Sequence, residues 1–143
     1  MYENYLVYKC TTTLIQLDKE RGGAVSWKLD KNKPICPQLC EQLSVRIAAG
    51  IYEPNAKLPS VRELAVLAGV NPNTVQRAYE VLEQKGMIYT VRNSGTFVSE
   101  DNAVAKESVE SLRAEKTKEY FLQMETLGFD AKNTKEYVKE WEV

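Results

Sequence analysis

Between Val61 and Leu82 apolar positions recur at helical spacing in two short blocks, with turn-forming residues between them. In the first block Leu64, Ala65, Leu67 and Ala68 are predicted to share one face of a helix. Ser60 stands three residues before Glu63, the S-x-x-E spacing in which each side chain caps the other's backbone N–H, so the helix should start there. Gly69, which tolerates positive φ, should end it. Asn71 followed by Pro72 is a second start signal, because Asn is a strong N-cap and Pro suits the first helical position. In the helix that follows, Val75, Ala78, Tyr79 and Leu82 fall on one side and Asn73, Gln76, Arg77 and Glu80 on the other, with Gly86 as the stop. Met87 to Val91 and Thr96 to Val98 are β-branched and aromatic-containing runs on either side of the turn formers Arg92-Asn93-Ser94-Gly95, which predicts a hairpin.

Two short helices, a tight turn and a hairpin in this order are the layout of a winged helix-turn-helix. The expected fold class is therefore mainly α with a small β-hairpin (α+β). In such a motif the second helix enters the major groove with its N-terminal residues at the base edges. Asn73 and Gln76 can pair bidentately with adenine and Arg77 with guanine, each good pair discriminating by roughly 1–3 kcal/mol. Thr74 is small enough to meet a phosphate or a thymine methyl, and Asn71 with the free N–H groups of the first turn favours a phosphate oxygen. Arg62, on the helix before, can pair with Glu63 or reach a phosphate or base, and Arg92 sits at the hairpin tip. Singly, each is an ordinary solvated residue; their joint placement carries the reading.

From Asn102 to Leu127 the chain lacks Pro and Gly and is rich in helix formers, with Val109 and Leu112 near one end and Tyr120, Phe121, Met124 and Leu127 near the other. Its middle, Arg113 to Glu119, is almost wholly polar, which excludes a continuous coiled coil. Gly128-Phe129-Asp130 should break this helix, and Asn133 with Glu136 repeats the capping spacing ahead of a second one bearing Tyr137, Val138 and Trp141. These apolar and aromatic residues are expected to form a dimer interface or an intramolecular core rather than a ligand pocket. The expected organisation is residues 1–25 as an N-terminal extension of unknown structure, 26–99 as a winged helix-turn-helix domain, and 100–143 as a two-helix dimerisation tail.

Charge changes this picture by where it lies. The net charge of the 143 residues is -1, unlike the basic balance of many nucleic-acid binders. From Lys57 to Arg92, however, five basic residues face three acidic ones, whereas Glu100 to Val143 holds seven basic and eleven acidic. The acidity belongs to the tail, and a shallow salt slope is expected because few phosphates are neutralised per protomer. The three cysteines, Cys10, Cys36 and Cys40, do not form a secreted disulfide scaffold, and Cys36 and Cys40, four apart on a helix, read as buried free thiols. A redox or metal role for that pair is the weaker alternative, because the chain has no His and no second Cys pair, and no metal site or cofactor is expected. No Gly-rich phosphate loop, nucleophile elbow or framed carboxylate pair supports an enzyme. No run approaches the roughly 18–20 apolar residues of a membrane span, and no signal pattern opens the chain, so a cytoplasmic protein without a membrane partner is expected.

The segments LPSVRELA, GVNPNTVQRAYEVLE and SGTFV, together with SWKLDKNKPICPQLCEQLSVRIAAGIYEPNAKLPS before them, resemble the N-terminal domain of GntR-family bacterial transcription regulators over about residues 26–99. The resemblance implies DNA contacts from Arg62, Asn71, Asn73, Thr74, Gln76, Arg77 and the turn Arg92, Asn93, Ser94 and Gly95. Two departures stand out: Asn55 occupies a position where the family usually has Gly, and Asn93-Ser94 occupies a wing tip where Gly or a basic residue is common. The roughly forty residues after Ser99 cannot hold a large effector domain, so the chain resembles the short YtrA-type branch. That implies a homodimeric repressor of an inverted-repeat operator in double-stranded DNA, controlling a transporter operon, with a small-molecule effector left open. The alternative is a winged helix that binds an acidic protein partner without DNA.

Overall fold

A computed structural model of the chain describes residues 27–141. The extension expected over residues 1–25 lies outside the described residues. Helix α1 spans Ile35–Ala48, α2 Val61–Ala68 and α3 Pro72–Gln84; strands β1 (Ile88–Val91) and β2 (Gly95–Val98) follow, then α4 (Ala103–Thr126) and α5 (Ala131–Glu140). The start of α1 has Pro34 at the N-cap, which offers no side-chain acceptor. Gln38 organises it instead: its Oε1 accepts from Asp30 N–H at 2.8 Å, and its amide donates to the carbonyls of Asp30 (3.0 Å) and Pro34 (2.9 Å).

Helices α2 and α3 are bounded as the sequence predicts. The Ser60–Glu63 capping box is closed in both directions, Gly69 ends α2 at φ +65, and Asn71 caps α3 with Pro72 at its first position. The core joins Leu39, Leu43 and Ile47 of α1, Leu64 and Ala65 of α2, Val75, Ala78, Tyr79 and Leu82 of α3, and Met87, Ile88 and Val98 around the hairpin. Leu67, expected on the buried face of α2, is 55% exposed. At about 100° per residue, Leu64, Ala65 and Ala68 centre on an arc from which Leu67 is turned by about as much again. A helix of eight residues has only one face to bury.

The hairpin pairs Ile88 with Val98, Tyr89 with Phe97, Thr90 with Thr96 and Val91 with Gly95. Ile88 and Val98 point into the core, while Tyr89 and Phe97 stack at 5.7 Å on the other face. β2 is not an open edge. The approach loop pairs along its far side, with Leu58 N–H donating to Thr96 O at 2.8 Å and Val98 N–H to Ala56 O at 2.9 Å. Asn55, where the GntR pattern has Gly, takes φ +62, so the substituted turn keeps its left-handed geometry.

The first half of α4 packs along α1, burying Ala105 and Val109, and Lys116 reaches Glu41 at 3.7 Å. The second half meets α5. α5 begins three residues before the Asn133–Glu136 signal: Asp130 is its cap and accepts from the Asn133 N–H at 2.7 Å. The earlier cap prevails because Thr134, fully buried, donates its hydroxyl to Asp130 O and commits Asn133 to the helix interior. Phe129 meets Tyr137 edge-on at 5.4 Å across the same turn.

Candidate nucleic-acid interface

The turn between α2 and α3 is fixed by Gly69 and by Val70 N–H donating to Ala65 O at 3.0 Å. Asn71, itself exposed, accepts from Asn73 N–H at 2.8 Å through its Oδ1, which is thus spent on the cap. Beyond this cap Asn73, Gln76, Arg77 and Glu80 are exposed and share one side of α3, opposite the buried Val75, Ala78, Tyr79 and Leu82. Thr74 lies at the border and is half-buried.

The inner side is what aims the outer one. Tyr79 Oη donates to Pro59 O at 2.6 Å and ties α3 to the approach loop. Burial of the phenol, with the nearby Tyr52 and Glu63, pushes it well above its usual range, so it stays a donor at neutral pH. At the other end of α3, Glu83 Oε1 accepts from Thr90 N–H at 2.9 Å and joins the helix to the wing. Cys40 Sγ on α1 donates to Ala78 O at 3.7 Å, a third tether.

The reading groups differ in readiness. Gln76 donates to Glu80 Oε1 at 3.1 Å, so its amide is already engaged within the helix. Arg77, Arg62 and Arg92 are exposed and make no hydrogen bond or ion pair among the described residues. The Arg62–Glu63 pair considered from sequence does not form, because Glu63 is engaged in the capping box, accepting from Ser60 N–H at 2.7 Å. That bond, with the Ser60 hydroxyl, holds the Glu63 carboxyl below its usual range. At the wing tip Arg92, Asn93 and Ser94 are exposed and Gly95 is half-buried, with Asn93 at φ +62. Sequence reasoning missed Lys57, an exposed cation whose Cε lies 2.7 Å from where a Cβ on Gly95 would stand. Only the pairing of the approach loop with β2 brings it there, and no local pattern marks it.

Of the tail residues singled out, Val109 is buried against the chain's own α1 and Leu112 is half-buried beside it. Phe121 and Met124 are half-buried, whereas Tyr120, Leu127 (76%), Tyr137 and Trp141 (59%) are exposed. Among the described residues no helix is long and apolar enough to cross a membrane.

Known proteins share this arrangement. Residues 37–98 match the family described as bacterial regulatory proteins, gntR family. The chain is 36% identical over 112 residues to the uncharacterized HTH-type transcriptional regulator YhcF of Bacillus subtilis, covering 78% of this chain and 93% of that protein. It is 37% identical over 108 residues to the HTH-type transcriptional repressor YtrA of the same organism, covering 75% and 83%. A solved GntR family transcriptional regulator from Listeria monocytogenes superposes with a TM-score of 0.68 at 40% identity, over 80% of this chain and all of that one. Because such likeness spans both the helix-turn-helix and the tail, the chain belongs to the GntR family, on its short YtrA-type branch, as a DNA-binding transcription regulator.

Proposed function

We propose that the chain is a repressor that reads an inverted-repeat operator as a homodimer. The observation that carries this is the outward side of α3, where Asn73, Gln76 and Arg77 stand together behind a capped N-terminus while three tethers hold the helix from within. In this reading Asn73, Gln76 and Arg77 meet base edges, and Asn71, Thr74 and Arg62 meet phosphates. Arg92, Asn93, Ser94 and Gly95, with Lys57 beside them, follow the wing to the adjacent groove. The homodimer is formed by the distal half of the tail, through Tyr120, Phe121, Met124, Leu127, Tyr137 and Trp141. Its support is the exposure of large apolar side chains there, a surface that a monomer rarely leaves open. The relative YtrA is named a repressor, which supports repression here. A cytoplasmic location and control of a transporter operon complete the reading, and the YtrA-type resemblance is their support.

Selection of bound sequences from a random duplex pool tests the whole reading. A palindrome with defined half-site spacing is the expected product. If no duplex is retained at low salt, and Arg77→Ala with Arg62→Ala leaves that result unchanged, DNA reading fails and a protein-binding winged helix takes its place.

A further inference from the structure

We propose that Cys36 and Cys40 form a two-thiolate site for a soft monovalent metal ion of the copper(I) class, set between α1, the end of α3 and α4. The two thiols stand one turn apart on α1 and line a cleft of about 420 Å³. Its other walls are Val81 and Lys85 from α3 and Val109 and Leu112 from α4. Both cysteines are free, Cys40 buried and Cys36 half-buried, and they interact directly.

Geometry selects among the things two thiols can do. Cβ atoms four positions apart on a helix are roughly 5–6 Å apart, whereas a disulfide needs about 3.5–4.5 Å. Oxidative bridging would therefore have to distort α1, whereas an ion shared by two thiolates one turn apart asks for no S–S bond. A tetrahedral zinc site is not built here, since among the described residues no three or more His, Cys, Asp and Glu converge to hold a metal. Soft thiolate donors in low number suit copper(I).

Charge and protons balance without electron transfer. Two S–H bonds lose their protons to solvent and two metal–sulfur bonds form, which leaves a net charge of -1 on the unit. Lys85 lines the same cleft and supplies the opposing charge. Of the acids at the rim, Glu41 is paired with Lys116 at 3.7 Å, and Glu115 is the other. Coordination takes away the Cys40 proton, and with it the bond to Ala78 O on α3. The ion thus releases one of the three tethers of the reading helix. This last step rests on the DNA-reading role of α3; the site itself does not.

The full chain, reduced and kept anaerobic, is titrated with copper(I) against a chromophoric copper(I) chelator, with thiolate-to-copper absorption and far-UV circular dichroism followed together. One ion per chain is expected, lost in Cys36→Ser and in Cys40→Ser and kept in Cys10→Ser. Cys36→Ser is the decisive variant, because its half-exposed position keeps the fold even if Cys40→Ser does not. Failure of the wild type to compete with the chelator, or unchanged binding in a folded Cys36→Ser, overturns the site. Copper loading should then change duplex affinity by about tenfold in the wild type and not in Cys36→Ser. Equal affinity with and without copper overturns the coupling to α3, whereas a copper-free chain that binds no duplex refutes DNA reading and leaves the metal titration to stand on its own.

Discussion

Replacing Tyr79 with Phe removes one oxygen from the buried side of α3, and its effect can be followed across pH. The lost group donates to Pro59 O at 2.6 Å, and the ring itself stays in the core at 5% exposure. A net hydrogen bond is worth about 1 kcal/mol, and a carbonyl left unsatisfied costs about 1–3 kcal/mol. Pro59 is half-buried, so water reaches part of that carbonyl and the lower end applies, about 1–2 kcal/mol. For a chain of this size that lowers Tm by roughly 4–8 °C. The phenol adds a second signature. Its folded-state pKa is raised, so its contribution is fully present below the usual value of about 10 and is lost as pH rises beyond it. One unit above that point the wild type has lost about 1.4 kcal/mol that Tyr79→Phe never had. Urea unfolding of both proteins at pH 7, 9, 10 and 11 should therefore show a gap that is steady up to pH 9 and nearly closed at pH 11. A gap absent at neutral pH, or constant through pH 11, would refute the role assigned to the hydroxyl.

Arg77→Ala should weaken duplex binding by about 1–3 kcal/mol, roughly 5- to 150-fold, and relax base preference at one position, as read by fluorescence anisotropy on the selected operator and its point variants; equal loss on every sequence would make Arg77 a phosphate contact. Ser60→Ala should cost about 1 kcal/mol and raise the Glu63 carboxyl towards its ordinary value. Because that carboxyl is held low in the folded state, its contribution is present at neutral pH and lost as pH falls through its folded value, which carboxyl NMR titration of both proteins would follow. Gly69→Ala should cost roughly 1–2 kcal/mol from its positive φ alone. A Cβ there meets nothing within 4 Å, so a much larger loss on thermal melting would mean that the turn is tighter than described. In sedimentation, Leu127→Ser with Trp141→Ala should shift the intact chain from dimer to monomer, and an unchanged dimer would place the interface elsewhere.

The parts of the fold visible in the sequence are those decided within one turn of chain. Ser60 and Glu63, Gly69, and Asn71 with Pro72 satisfy or release backbone groups at their own positions, so their meaning does not wait on the rest of the molecule. Where the sequence pointed to Asn133 as the start of α5 and the structure uses Asp130, the buried Thr134 fixes the earlier start, and burial is not written locally. Leu67 shows the same limit on the side of hydrophobicity, since an apolar residue does not announce which way a short helix will turn. The outward residues of α3 were legible because they alternate with the core positions of the same helix. What holds that helix in aim was not: Tyr79 to Pro59, Glu83 to Thr90 and Cys40 to Ala78 join positions seven to 38 apart in the chain.

α4 runs unbroken for 24 residues from its seat on α1 to its meeting with α5, a length of about 36 Å at 1.5 Å per residue. It works as a ruler with a built-in phase. Adding two residues after Glu119 would turn everything beyond by about 200°, while adding seven would turn it by about 20° from its original heading and lengthen the shaft by about 10 Å. If the distal half holds the second copy, the spacing of the two operator half-sites is set by the length of this single helix, and the two insertions should part company: the first loses the operator, and the second prefers one with its halves moved apart.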